Sequence, residues 1–179
     1  MSRIAAPAVA LDDDVDRPTG GPTGDSGTDL RAARRADEKF ALPFEQIAAR
    51  LKGLTLPEVD VVYGIASGGV VPASLVAYQL GKPLELIVIN YRREDNSPQR
   101  PAPEILAPSQ RPAPGARVLL VDDVSVTGQT IRLARETVLA GCAVTTVVMK
   151  GRADIVAFPE VGTCVAWPWT VAGTQAGSD

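Results

Sequence analysis

The sequence predicts an α/β fold in which a parallel β-sheet is flanked by helices on both faces. Three observations predict it. Apolar runs of strand length alternate with segments whose apolar residues fall at helical spacing. Glycine and proline punctuate the joints between them. One apolar run ends in two carboxylates just before a new helix, the position at which open parallel sheets bind ligands.

The chain has 179 residues, the length of one domain and enough to bury a core without disulfides or a structural metal. Residues 1–36 are rich in Ala, Gly, Pro, Thr and Asp with no apolar period, and read as a flexible tail. The folded domain is expected over residues 37–170, followed by a polar tail over 171–179.

In the folded part, Ile47, Leu51 and Leu54 fall at helical spacing after Pro43, with Gly53 near the end, which predicts a short amphipathic helix from Phe44. Val59–Ile65 reads as a buried strand. It runs into Ala66-Ser67-Gly68-Gly69, after which Val71, Leu75 and Tyr78 continue a helix that Gly81-Lys82-Pro83 stops. Leu84–Tyr91 completes a βαβ unit. Residues 92–116 carry six prolines and both signs of charge with little period, and are expected to be a long loop of the kind used as a lid or binding segment. A third strand, Arg117–Val121, ends at Asp122-Asp123. A helix is predicted from about Gly128 to Ala140, then a strand over Ala143–Met149 and short apolar pieces at Ile155–Phe158, Cys164–Ala166 and Trp167–Trp169.

Composition excludes several chemistries. A net charge of −3 offers no broad positive surface for a phosphate backbone, so nucleic acid is not an expected partner. The two cysteines, Cys142 and Cys164, lie far apart and outside any metal-binding spacing. Histidine is absent, which removes Ser-His and Cys-His nucleophiles and imidazole acid-base work together. The apolar run from Ile4 to Leu11 is broken by Pro7 and too short to span a membrane; a cytoplasmic protein is expected.

The chemistry concentrates at Asp122-Asp123 and the loop Ser125-Val126-Thr127-Gly128-Gln129-Thr130. The loop opens a helix, whose free N–H groups and positive dipole end suit a phosphate. Gly128 permits close backbone approach, and Thr127 and Thr130 add hydroxyl donors. Two carboxylates beside such a cradle suit ribose hydroxyls or a magnesium shell. The plain alternative is a Thr127 helix cap after an incidental acid pair.

This run resembles the phosphoribosyl pyrophosphate (PRPP) signature of type I phosphoribosyltransferases: apolar strand, two acids, then Thr-Gly-x-Thr. A second segment, residues 64–73, is similar to the family's pyrophosphate loop, in which an often-cis peptide precedes the first glycine of a pair. The resemblance covers about Phe40 to Trp169. It implies the family fold with a small C-terminal hood and a mobile active-site loop, Mg2+ as cofactor, PRPP and a nucleobase as substrates, and a homodimer. It assigns Asp122 and Asp123 to catalysis and metal, residues 125–130 to the 5′-phosphate, and Ser67, Gly68, Gly69 and Arg100 to pyrophosphate. Arg92 and Arg93 are further candidates; solubilising charge on a loop is the other reading of all three arginines.

Length, Lys150 and the closing Pro168-Trp169 most resemble the xanthine-guanine and hypoxanthine-guanine branch, which implies 6-oxopurine salvage. Lys150 would donate to the 6-oxo group, since an ammonium has donors only; a solvated lysine is the alternative. Val165 falls in the backbone-contact slot for the base, and Trp167 or Phe158 is a candidate ring. Three positions depart from that branch: Val126 replaces an acid that handles the base proton, Cys164 replaces the stacking aromatic, and Thr170 replaces an acid for a second magnesium. Three other readings remain open: a non-catalytic PRPP or nucleotide sensor of the same fold, a phosphoribosyltransferase for a different base, and an α/β domain that uses the acid pair for magnesium only.

Overall fold

A computed structural model describes residues 40–90, 101–107, 109–162 and 164–170, all within Lys39–Asp179, one of two compact units into which the chain divides. Eight strands and three helices are described: β1 (Phe40–Ala41), α1 (Phe44–Lys52), β2 (Val61–Ala66), α2 (Val70–Leu80), β3 (Leu84–Asn90), β4 (Glu104–Ile105), β5 (Arg117–Ser125), α3 (Gln129–Glu136), β6 (Ala143–Gly151), β7 (Ile155–Val156) and β8 (Val165–Ala166).

Six strands form the main sheet in the order β4-β3-β2-β5-β6-β7, parallel except for β4 at its edge. From β2 the chain crosses through α2 to β3 on one side, whereas from β5 it crosses through α3 to β6 on the other. The gap between β2 and β5 is therefore a switch point, where the two crossovers diverge and leave a crevice.

Period-two alternation in β5 sorts the core. Leu119 and Val121 pack with Ile47, Leu51, Ala73 and Val76, beneath α1 and α2. Val118 and Leu120 pack with Ile131, Ala134 and Leu139, beneath α3. All four β5 residues are essentially inaccessible, and each apolar side chain so buried contributes roughly 1.5–3 kcal/mol. Burying this strand on both faces holds the site's main support rigid.

The expected elements differ from the observed ones in instructive places. β5 does not stop at Val121; it continues through both acids to Ser125, because β6 keeps pairing with it as far as Gly151. The predicted long loop contains a two-residue strand, β4, held by antiparallel pairing to the edge of β3. The helix after the acids ends at Glu136, short of Ala140, and Leu139 N–H turns back to the carbonyl of Ala134. At the C-terminal end, β8 pairs with β1 as a separate two-stranded sheet, and Trp167 stacks on Trp169 with centroids 5.3 Å apart. No helix among the described residues is long and apolar enough to cross a membrane.

Candidate active site

The β2–β5 ladder closes at Gly64 and Val121, so Asp122 is the first residue of β5 without a β2 partner. From here the two strands part, and the space between them is bordered by Ala66–Gly69 on one side and Asp122–Ser125 on the other.

The first border is built for close approach. The Ala66–Ser67 peptide is cis, ahead of the glycine pair. Gly69 donates its N–H to Ile65 at 2.8 Å, and a Cβ at Gly69 would stand 2.6 Å from the Val121 carbonyl oxygen. A Cβ at Gly68 would overlap the Asp123 carboxylate. Only a residue without a side chain lets the N-terminus of α2 sit this near the acids.

The second border carries the charge. Asp122 is 7% exposed, and its Oδ1 accepts the Asp123 N–H at 2.9 Å. Asp123 Oδ1 accepts the Val124 N–H at 2.7 Å. Burial pushes both carboxyls above the ordinary carboxylate range, and the neighbouring Asp123 charge raises Asp122 further. Two like charges held this way favour a cation or a set of hydroxyl donors between them and solvent.

Beyond the acids, Gly128 is the N-cap of α3 in a left-handed conformation, φ 73°, with no side-chain cap. The alternative of a Thr127 cap therefore fails: glycine makes the turn, and the hydroxyls of Thr127 and Thr130 are not used as caps. The first intrahelical bond runs from Arg132 N–H to the Gly128 carbonyl at 2.9 Å, so the amides of the preceding turn have no partner inside the helix. Val126 and Thr127 are exposed at the loop tip, and Val126 is 57% accessible. Ser125 is buried, and its Oγ finds no hydrogen-bond partner among the described residues.

Gly151 and Arg152 belong to this structure and were not anticipated from the sequence. Gly151 has φ 108° and lies against the Ser125 backbone so closely that a Cβ would collide with the carbonyl; Arg152 N–H donates to that carbonyl at 2.8 Å. A glycine directly after the Lys150 strand end was the available signal.

Lys150, near the end of β6, donates from Nζ to the Gly162 carbonyl at 3.2 Å. Val165 is half-buried in β8, and Cys164 is exposed. Trp167 is 6% exposed, packed with Leu42, Ile47 and Phe158 and stacked on Trp169. Phe158 is likewise buried in that core. Arg92, Arg93 and Arg100 lie outside the described residues, as do the tails expected over 1–36 and 171–179.

Residues 44–175 match the family described as phosphoribosyl transferase domain. The chain belongs to that family. Over 138 residues, 77% of this phosphoribosyl transferase domain protein and 62% of the relative, it is 31% identical to the orotate phosphoribosyltransferase of Pyrobaculum aerophilum. It is 30% identical over 107 residues to the transcriptional regulator GfcR of Archaeoglobus fulgidus, covering 57% of this chain and 54% of that one. The chain thus spans less than two thirds of the length of these curated relatives. The purine phosphoribosyltransferase structure from Pyrococcus horikoshii Ot3 superimposes with a TM-score of 0.60 over 78% of this chain and 99% of that one, at 23% identity, a likeness of fold.

Proposed function

We propose that this protein transfers the 5-phosphoribosyl group of PRPP to a nucleobase with release of pyrophosphate, through a domain spanning residues 37–170. The observation that carries the reading is the convergence of three parts at one switch point: the glycine pair after the cis peptide, the buried acid pair, and a helix N-terminus left open by Gly128. Each part answers to one piece of the substrate.

In this reading Ser125–Thr130 hold the 5′-phosphate through backbone amides and hydroxyls. Asp122 and Asp123 accept the ribose hydroxyls, and Ser67, Gly68, Gly69 and Arg100 receive the departing pyrophosphate. The anomeric carbon develops positive charge as the bond to pyrophosphate loosens, and the buried carboxylates stabilise it from a water-poor crevice. The acid pair also fits Mg2+. Two buried carboxyls with raised pKa are relieved by a divalent cation, and among the described residues no third Asp, Glu, Cys or His joins them, which suits an ion that takes its other oxygens from substrate and water. Bound there, magnesium would supply charge neutralisation of the pyrophosphate.

For the base, Lys150 favours an acceptor with a keto oxygen, so a 6-oxopurine is the preferred substrate. Lys150, Val165 and Trp167 are the base-side residues of this reading. We place the reaction in the cytoplasm.

A second reading, a regulator of the same fold that binds PRPP or a nucleotide without turnover, is favoured by the exposed Val126 and Cys164 where acid and aromatic are expected, and by the similarity to GfcR. Pyrophosphate release with PRPP, Mg2+ and a panel of purine and pyrimidine bases separates the two. Turnover with a 6-oxopurine supports the proposal. Binding of PRPP without turnover on any base supports the regulator, and no PRPP binding by folded protein removes both.

A further inference from the structure

β1 and β8 run parallel, with Phe40 beside Val165 and Ala41 beside Ala166, and Phe40 N–H donates to the Cys164 carbonyl at 2.9 Å. Partners in register share one face of a sheet, and that face recurs two residues further on. Leu42 and Trp167, the next positions on the face of Phe40 and Val165, are both buried in the core, and Val165 packs against it. The face therefore looks into the molecule. Phe40 stands on it and is nevertheless 50% exposed.

Lys150 locates the open end of this face. Two residues before Cys164, the Gly162 carbonyl accepts a hydrogen bond from Lys150 Nζ at 3.2 Å. Lys150 is in turn paired across the sheet with Val124, the residue after Asp123. Phe40 and Val165 thus lie on the Lys150 side of the site, past the acid pair. A half-open phenyl ring there is a flat apolar surface without donor or acceptor, near an ammonium that has donors only. The combination suits a planar heterocycle, held by its face against the ring and by an edge oxygen against the ammonium. Cys164, one residue before Val165, is exposed and has no ring to offer.

We infer that Phe40 stacks on the acceptor base with Val165 beside it, so that β1 supplies the aromatic face and Lys150 the choice between bases. The inference rests on the phosphoribosyl-transfer reading of the site and adds to it a residue outside the matched family region, which begins at residue 44. Stacking uses the π-face that every base has, so Phe40 sets how tightly a base is held and not which base it is.

Isothermal titration of inosine, adenosine and uridine 5′-monophosphates tests it, with ribose 5-phosphate as the ligand that lacks a base, on the parent, Phe40→Ala, Phe40→Leu and Phe40→Trp. The pairing of β1 with β8 is made by the backbone, and Phe40→Leu keeps the apolar cover while removing the ring; circular dichroism checks that each variant folds. In Phe40→Ala and Phe40→Leu, every nucleotide the parent holds should bind roughly tenfold or more weakly, with the ratio between nucleotides and the affinity for ribose 5-phosphate each kept within about twofold. Phe40→Trp should bind at least as tightly as the parent. Nucleotide affinity retained in Phe40→Leu, or lost to the same extent for ribose 5-phosphate, overturns the inference, since the side chain would then be cover or scaffold. A parent that holds ribose 5-phosphate and gains nothing from any base overturns it too, and leaves the sugar-phosphate site standing. Folded parent that binds none of these ligands removes both.

Discussion

Gly68 faces the carboxylate of Asp123 with no room for a methyl group between them. The loop ahead of α2 and the acids of β5 are thus set against each other by contact, and the contact is available only to glycine. For Gly68→Ala we expect the Asp123 side chain to be displaced and affinity for PRPP with Mg2+ to fall at least tenfold, about 1.4 kcal/mol. Isothermal titration reads this directly; an unchanged affinity would mean that Asp123 does not have to be where the structure puts it.

The raised pKa of Asp122 has a pH signature. A carboxyl that ionises later in the folded state than in the unfolded one adds nothing to the pH dependence below its ordinary unfolded value, because both states are protonated there. As pH climbs above that value the unfolded chain loses its proton first, and folded stability declines until the folded group ionises too. Asp122→Asn keeps the acceptor for the Asp123 N–H and removes the charge. The ligand-free variant should melt higher than the parent at neutral pH, at roughly 2–4 °C per kcal/mol for a protein of this size, with a flatter dependence between pH 4 and neutrality. Its PRPP affinity should drop at the same time. Parallel melting curves across that range would contradict the assignment.

Gly151 tests the other border. With φ 108° and the Ser125 carbonyl against its Cα, Gly151→Ala is both strained and obstructed, and should cost on the order of 1–3 kcal/mol in urea denaturation. Because the obstruction falls on Ser125, affinity for ribose 5-phosphate should weaken as well. Loss of stability with phosphate affinity intact would separate the glycine from the loop.

Trp167 and Lys150 should part company under mutation. Trp167→Ala removes a core ring and should destabilise by about 3–5 kcal/mol, yet leave PRPP affinity of the folded fraction near the parent value. Lys150→Met should leave the melting temperature close to the parent's while abolishing any preference between 6-oxo and 6-amino purines. Selectivity that survives in Lys150→Met would move base reading elsewhere.

The order of strands and helices was legible because the four apolar residues from Val118 to Val121, and the turn residues at Gly53 and Gly81, carry local signals that the tertiary structure keeps. Asp122 and Asp123 were legible as a pair but misplaced relative to the strand. Nothing local says that β5 continues to Ser125; that depends on how far β6 runs beside it. β4 was missed because two residues, Glu104 and Ile105, have no period of their own and are ordered only by the edge of β3. The packing of Trp167 with Leu42 and Ile47 and its stacking on Trp169 were not legible, because the neighbours of a lone aromatic carry no local signal. Gly151 escaped notice because its partner, Ser125, is distant in sequence.

The fork between β2 and β5 has a consequence for hydrogen exchange. Asp122, Val124 and Ser125 keep partners on β6, so that rail should open only with the sheet, whereas residues 67–69, past the end of β2, should exchange through small local openings. A ligand spanning the fork ties the two sides into one cooperative unit. Slowed exchange at residues 67–69 would then report occupancy even for a ligand that is never turned over.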